Sequence, residues 1–390
     1  MSANAQDGPS LKYPLRAEDS LVKQKDIRDV IAVIFNKKPD PVKDSIKANK
    51  KFQFSLLPAI GYTLQTRLAA IIAGNVAFHT QKDSLQKISS VYFNVAYTQN
   101  KQFTVPIQSN IWTKNNKYNF VGDWRYMKYP QDTYGLGGNN SLANDANLID
   151  YSYIRIYQTV FKKIAGDLYG GVGYNMDYYW NIKEDGYSDG RKSDYEMYGN
   201  QKKSFASGFS LSALFDDREN SINPLNGQYA NIVYRNNLTA LGSNENWQSL
   251  VIDLRKYITV NKRRQNVLAL WFYNWNVLSG KPPYLLLPAT AWDTYTNTGR
   301  GFIQGRFRSK YMVYLESEYR FRITDNGLLG GVVFVNAQSL SEWDTNKFEY
   351  VQPAAGLGLR VKLNKQSKTN IDIDYGFGKG GSRGLFHQCR

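Results

Sequence analysis

One cysteine and two histidines are all that this 390-residue chain offers of the residues that build disulfides and most zinc sites. A lone Cys389 excludes a disulfide framework. With only His79 and His387 beside it, a zinc site of the usual ligands is excluded too. Long apolar runs are missing as well. The longest, such as VLALWFY (Val267–Tyr273), are strand length, against the roughly 18 residues of a helical membrane span. Neither histidine sits in a recognisable catalytic motif. GFGKGG (Gly376–Gly381) has the spacing of a phosphate-binding G-x-G-x-x-G, but it follows a strand and opens no helix, so it reads as a tight hairpin. An enzyme, a metal and a cofactor are therefore not expected.

What is present is aromatic and basic. There are 29 Tyr, 19 Phe and 8 Trp, which argues against disorder even though mean hydropathy is negative. The net charge of +16 is scattered over strand faces and connections. With no zinc finger or helical reading element, it points to anionic lipid rather than to nucleic acid.

From Phe52 onward the hydrophobic period is two. Tyr311, Val313, Leu315, Ser317, Tyr319, Phe321 and Ile323 fall on one face of a strand. Met312, Tyr314, Glu316, Glu318, Arg320 and Arg322 fall on the other. Such charges are costly in a packed core and cheap in a wet lumen. In hydrocarbon every backbone polar group needs an internal partner, so a spanning sheet must close. Sixteen such segments run from about residue 51 to 390, joined by short turns on one rim and long connections on the other, the layout of an outer-membrane barrel. The expected fold is all-β: a 16-stranded antiparallel transmembrane β-barrel preceded by one short helix. Trp124, Tyr126, Trp180, Trp271 and Trp275 suit its interfacial girdles.

The helix reads from Asp19 to Phe35, capped by Asp19 or Ser20, with Leu21, Ile27, Val30, Ile31 and Ile34 as its apolar stripe. ANA followed by Gln6 resembles the end of a secretory signal peptide. Residues 1–5 are thus expected to be a signal remnant, 6–50 a periplasmic segment carrying the helix, and 51–390 the barrel.

Several stretches resemble the BamA/TamA superfamily of outer-membrane barrels, the bacterial surface antigen family. FDDRENSINPLNGQYANIVY (Phe215–Tyr234) looks like its Asp-x-Arg-Asp turn, placing Asp216, Asp217, Arg218, Pro224 and Gly227 in that motif. GRGF (Gly299, Arg300, Gly301, Phe302) looks like the Arg-Gly-Phe of its long sixth loop. YLESEYRF, GGVVFVNAQ, AAGLGLRV and DIDYGFG follow in family order, and YGLGGN (Tyr134–Asn139) precedes the sixth strand. The resemblance implies an inward-folded loop 6, with Arg300 meeting Glu318 and, further along the wall, Asp372 or Asp374. Its fork suits carboxylates. Asn336 stands where the family has Asp. The fifty residues before the first strand are too few for one of the family's POTRA repeats, and Phe386 is the last aromatic, where such barrels end on one.

The resemblance further implies a monomeric barrel in the outer membrane of a Gram-negative bacterium, surrounded by lipopolysaccharide and phospholipid. Its role is outer-membrane protein assembly or translocation through a weak seam between the first and last strands. Substrate outer-membrane proteins or accessory lipoproteins are its expected partners, and nucleic acid is not. The alternative is a passive or gated pore, or a structural barrel.

Overall fold

The computed structural model describes residues 24–34, 52–63, 65–81, 86–141, 145–199, 201–294 and 296–389. The strands are β1 (Phe52–Thr63), β2 (Arg67–Phe78), β3 (Ser89–Thr98), β4 (Phe103–Trp112), β5 (Tyr118–Lys128), β6 (Gln131–Thr133), β7 (Asn147–Ala165), β8 (Leu168–Glu184) and β9 (Ser204–Asp216). They continue as β10 (Gly227–Asn237), β11 (Trp247–Asn261), β12 (Asn266–Gly280), β13 (Tyr311–Arg322), β14 (Leu329–Leu340), β15 (Gln352–Asn364), β16 (Thr369–Gly378) and β17 (Arg383–Cys389). All belong to one sheet, and every paired neighbour runs antiparallel.

The strand number is 17 among the described residues, not the sixteen expected. The fifth strand is split: β5 pairs with Ser152–Lys162 of β7, and β6 resumes the pairing at Asn147–Ile149. Pro130 lies at the break, and with no N–H it cannot continue a ladder. Nor is the sheet closed by hydrogen bonds. Among the described residues no ladder joins β17 to β1, although their Cα atoms come within 8 Å.

Side chains sort by parity. Leu315, Val333, Val335, Leu357, Ile373 and Phe377 are exposed on the outer face of adjoining strands. Met312, Tyr314, Glu318, Phe334 and Asp374 are buried on the inner face. Trp124 and Tyr126 lie exposed on the outer face, and Trp180 stacks on Tyr178 beside them. Trp271 and Trp275 depart from the girdle expectation. They pack inward against the buried Tyr273, Met312 and Tyr314, because the odd residues of β12 face the lumen.

Connections 113–117, 166–167, 262–265, 323–328 and 365–368 are short and share one rim, which also holds the longer 79–88 and 217–226. Connections 134–146, 185–203, 281–310 and 341–351 occupy the other. Helix α1 (Ile27–Ile34) docks on the short-turn rim. Lys25 N donates to Asn326 O at 3.0 Å, and Lys365 Nζ pairs with Asp29 at 3.1 Å. Among the described residues the helix starts at Ile27, Gln24–Asp26 being non-helical; the part of the expected helix before Gln24 lies outside the described residues. Asp26 caps it, its Oδ1 accepting from Arg28 N at 3.0 Å and Asp29 N at 3.3 Å. The expected caps Asp19 and Ser20, and the signal remnant at 1–5, lie outside the described residues.

The outward face makes a direct prediction. Leu357→Arg places a guanidinium on the outer surface of β15, and if that surface meets lipid it should cost about 2–4 kcal/mol. The midpoint of urea unfolding in phosphatidylcholine vesicles, followed by heat-modifiable migration, should fall accordingly. An unchanged midpoint means that this face meets water.

Candidate functional site: a lumen-crossing loop and its arginine anchor

The connection between β12 and β13, residues 281–310, folds into the sheet's interior. Tyr284, Leu285, Leu286, Leu287, Trp292, Phe302 and Phe307 are all buried. Local polar geometry shapes it: Asp293 Oδ1 accepts from Asn297 N at 2.9 Å, and from Thr298 N and Oγ1 at 2.8 Å each. Burial away from water pushes the Tyr284 phenol up to about 12. The loop reaches the opposite wall, where Thr294 O accepts from Gln108 Nε2 of β4 at 2.6 Å and from Arg125 of β5. Gln304 Oε1 accepts from the Tyr129 hydroxyl at 2.6 Å.

Arg300 anchors the other side. Its Nε and Nη2 donate to Glu316 at 3.0 and 2.6 Å. Nη2 also lies 2.6 Å from Glu318, and Nη1 donates to Asp374 at 2.8 Å. The guanidinium sits 3.8 Å from the centre of the Phe334 ring. Asn336 Nδ2 donates to the Arg300 carbonyl at 2.9 Å, so this amide holds the loop backbone. Glu316 supplies the bidentate acid and is fixed in turn by the Tyr314 hydroxyl at 2.5 Å. Asp372 faces Arg360 at 3.3 Å. Arg360 also bonds Asp374, and Arg320 bonds Glu318 at 2.5 Å. The cluster thus interleaves Arg300, Arg320 and Arg360 with Glu316, Glu318, Asp372 and Asp374.

The wall is shaped to receive the loop. Gly299 and Gly301 have φ of 74° and 105°, the left-handed region. A Cβ on Gly376 of β16 would lie 2.8 Å from Gly301 Cα, and one on Gly378 would lie 2.8 Å from Gly301 O. Gly376 and Gly378 of GFGKGG therefore seat the Arg-Gly-Phe loop. Phe302 then packs edge-on against Phe307 at 5.6 Å.

The turn motif forms a second anchor at the short-turn rim. Arg218 grips Asp216 through two bonds of 2.8 and 2.9 Å and lies 4.5 Å from the centre of the Tyr229 ring. Burial opposes its charge, yet the Asp216 carboxylate raises its pKa. Asp217 N donates to Gln228 O at 3.1 Å, which closes the base of the turn. Pro224 is buried in its tip. Gly227 has φ 107°, and a Cβ there would stand 2.7 Å from Arg218 Cα.

Glu316 and Arg360 share the lumen parity of Glu318, so the alternation already marked them as wall residues. A further signal is an acid-x-Arg repeat: Asp123/Arg125, Asp216/Arg218, Asp253/Arg255 and Glu318/Arg320. Residues i and i+2 of a strand share a face, and each pair bonds with N–O distances of 2.5–2.9 Å. GYSDG (Gly186–Gly190) has the spacing of a nucleophile elbow, but Ser188 is exposed in a turn closed by Gly190 N and Tyr187 O at 3.1 Å. Neither histidine lies in that connection.

A sheet apolar outside, ion-paired inside and crossed by one long loop defines an outer-membrane protein of the barrel type. The Omp85 superfamily domain matches residues 79–380, and the chain belongs to that superfamily. It resembles BamA from Haemophilus ducreyi lacking POTRA domains 1-3, with TM-score 0.55 and 14% identity over 88% of this chain and 71% of that one. It also resembles CdiB from Acinetobacter baumannii, with TM-score 0.57 and 11% identity over 87% of this chain. Here the chain spans 60% of the relative's length. CdiB from Escherichia coli gives TM-score 0.52 and 9% identity, over 87% and 63% of the two chains. A search of the curated proteins returned no match.

Removing the anchor tests its weight. Arg300→Ala leaves the half-buried Glu316 without its cation and takes one from the buried Glu318 and Asp374, a loss of up to about 3–5 kcal/mol, as for a broken buried pair. Proteolysis of folded protein should then cut within 290–306, while Lys202→Ala keeps the loop resistant.

Proposed function

We propose that this chain acts in outer-membrane protein assembly or translocation, working at the β1–β17 edge. The carrying observation is that edge itself. Every other consecutive pair of positions around the sheet is joined by a ladder, whereas no ladder joins β17 to β1 among the described residues. An unpaired edge offers N–H and C=O groups in register, and an incoming strand can add to it. Phe52, Phe54, Leu56 and Ile60 of β1 are exposed, which gives such a strand an apolar outer face to continue. In this reading the sheet closes only weakly through β1 and β17, as a sixteen-position cylinder in which β5 and β6 share one position. Residues 52–389 form that cylinder and α1 lies on its periplasmic rim. The relation to BamA and CdiB supports the kind of role and the kind of partner, namely outer-membrane substrates and accessory lipoproteins. No covalent chemistry is required.

The test is kinetic. Vesicles holding the chain should accelerate folding of an added denatured porin. In a Cys389→Ser background, cysteine pairs scanned across Ala59–Thr63 and Arg383–Leu385 should, once oxidised, remove that acceleration, and reduction should restore it. Acceleration that survives a locked edge, or none at all, overturns the proposal.

The pore reading makes a different demand. Two cavities of about 290 and 300 Å³ remain in the lumen, and Thr294 and Asn297 line both. A loop lying between them obstructs passage. The intact chain should therefore show little conductance in planar bilayers, and deletion of 294–305 should raise it severalfold. High conductance of the intact chain favours the pore.

A further inference from the structure

The charges around Arg300 are mutually paired, whereas at the short-turn rim several cations lack an acid even though others, such as Lys365 and Arg218, have one. Lys114, Lys162, Lys163, Lys256, Lys262, Arg263 and Arg264 have no carboxylate partner among the described residues, whereas Asp167 beside them is held by Lys87 at 3.2 Å. Two of these cations occupy an unusual place. Lys162 follows Ile156, Gln158 and Val160 on the outer face of β7, with Ile164 beyond it at 67% exposure. Lys256 stands on the outer face of β11 between Leu254 and Ile258, with Val260 beyond at 59% exposure. Both are exposed, and both interrupt an apolar stripe.

Register places them at one level. Lys162 pairs with Tyr118, the first residue of β5, and Lys256 pairs with Gln228, the second residue of β10. Each therefore stands where its neighbouring strand begins, at the foot of the apolar surface. Past that level both hairpins project further: Lys163 lies near the end of β7, just before the 166–167 turn, and Lys262, Arg263 and Arg264 form the turn of the other. The β4–β5 turn adjoins the first hairpin through Lys163 N and Lys117 O at 2.9 Å, which brings Lys114 and Lys117 alongside.

An ammonium on a lipid-facing surface is tolerated when its stem lies along acyl chains and its head reaches the head-group layer. A row of such cations without protein carboxylates calls for anions from the bilayer. We propose that the short-turn rim binds anionic phospholipid through two basic brackets: Lys162 with Lys114, Lys117 and Lys163, and Lys256 with Lys262, Arg263 and Arg264. The ligand is a head-group phosphodiester with net negative charge, its acyl chains lying on Val160, Ile164, Leu254 and Val260. This rests on the membrane reading above.

The full chain, reconstituted in nanodiscs of phosphatidylcholine alone or with phosphatidylglycerol, tests it through the temperature of its heat-modifiable transition. Phosphatidylglycerol should raise that temperature. The rise should vanish at about 1 M NaCl, where the Debye length is about 3 Å. Lys162→Gln/Lys256→Gln/Arg263→Gln/Arg264→Gln should abolish the rise while keeping the transition in phosphatidylcholine. Lys202→Gln/Lys203→Gln on the opposite rim should retain it. Equal transitions of the unaltered chain in both lipids, or a full rise in the quadruple variant, overturn the inference. Failure to fold in either nanodisc instead overturns the membrane reading.

Discussion

A guanidinium taken out of water needs acceptors for its protons and charge, and around Arg300 the carboxylates that supply them organise the interior. Arg300 arrives from a connection rather than from the wall, so its pairing with Glu316, Glu318 and Asp374 fastens a 30-residue loop across the lumen. The wall had to supply acids at matching height on β13 and β16, and the glycines that let the loop backbone approach. Elsewhere the same requirement is met locally, by acid and arginine two residues apart on one strand face. Asp177 shows the denser form: fully buried, it takes Arg155, Arg235 and two tyrosine hydroxyls. A lumen neutralised this way is stiff and offers few mobile charges to a passing ion.

Rigidity inside contrasts with the edge between β1 and β17. The loop ties β4 and β5 on one side to β13 and β16 on the other, so the walls flanking the edge are braced while the edge itself is not. At the short-turn rim Asn364 of β15 reaches Ser55 of β1 at 3.2 Å, and the next residue, Lys365, holds α1. The helix, the 365–368 turn and the base of β1 therefore form one line of contact beside the proposed point of strand addition.

Much of this was legible in the sequence, and the reason is geometric. A period of two fixes which side chain faces lipid and which faces the lumen, so the parity of Glu318 and Asp374 was readable without coordinates. Glu316 shares that parity and was equally readable as a further acid within reach of the Arg300 fork. Trp271 and Trp275 suit a girdle by residue type alone, but their odd positions on β12 turn them inward. The break at Pro130 was hidden because a three-residue strand carries no period of its own. The helix start at Ile27 depends on Asp26 turning its carboxylate back on the chain, which competes with caps offered earlier by Asp19 and Ser20. Closure was beyond the sequence: it depends on how far β17 pairs, and a short final segment is compatible with any extent.

Amide hydrogen exchange of the bilayer-reconstituted chain measures the central claim most directly. With the loop pinned across the lumen, the amides of Thr298, Phe302 and Gly305, bonded to Asp293, Gly299 and Thr290, should exchange as slowly as those of β13 and β14. Exchange there as fast as at the exposed residues 345–348 would mean that Arg300 does not hold the loop and that the lumen stands open.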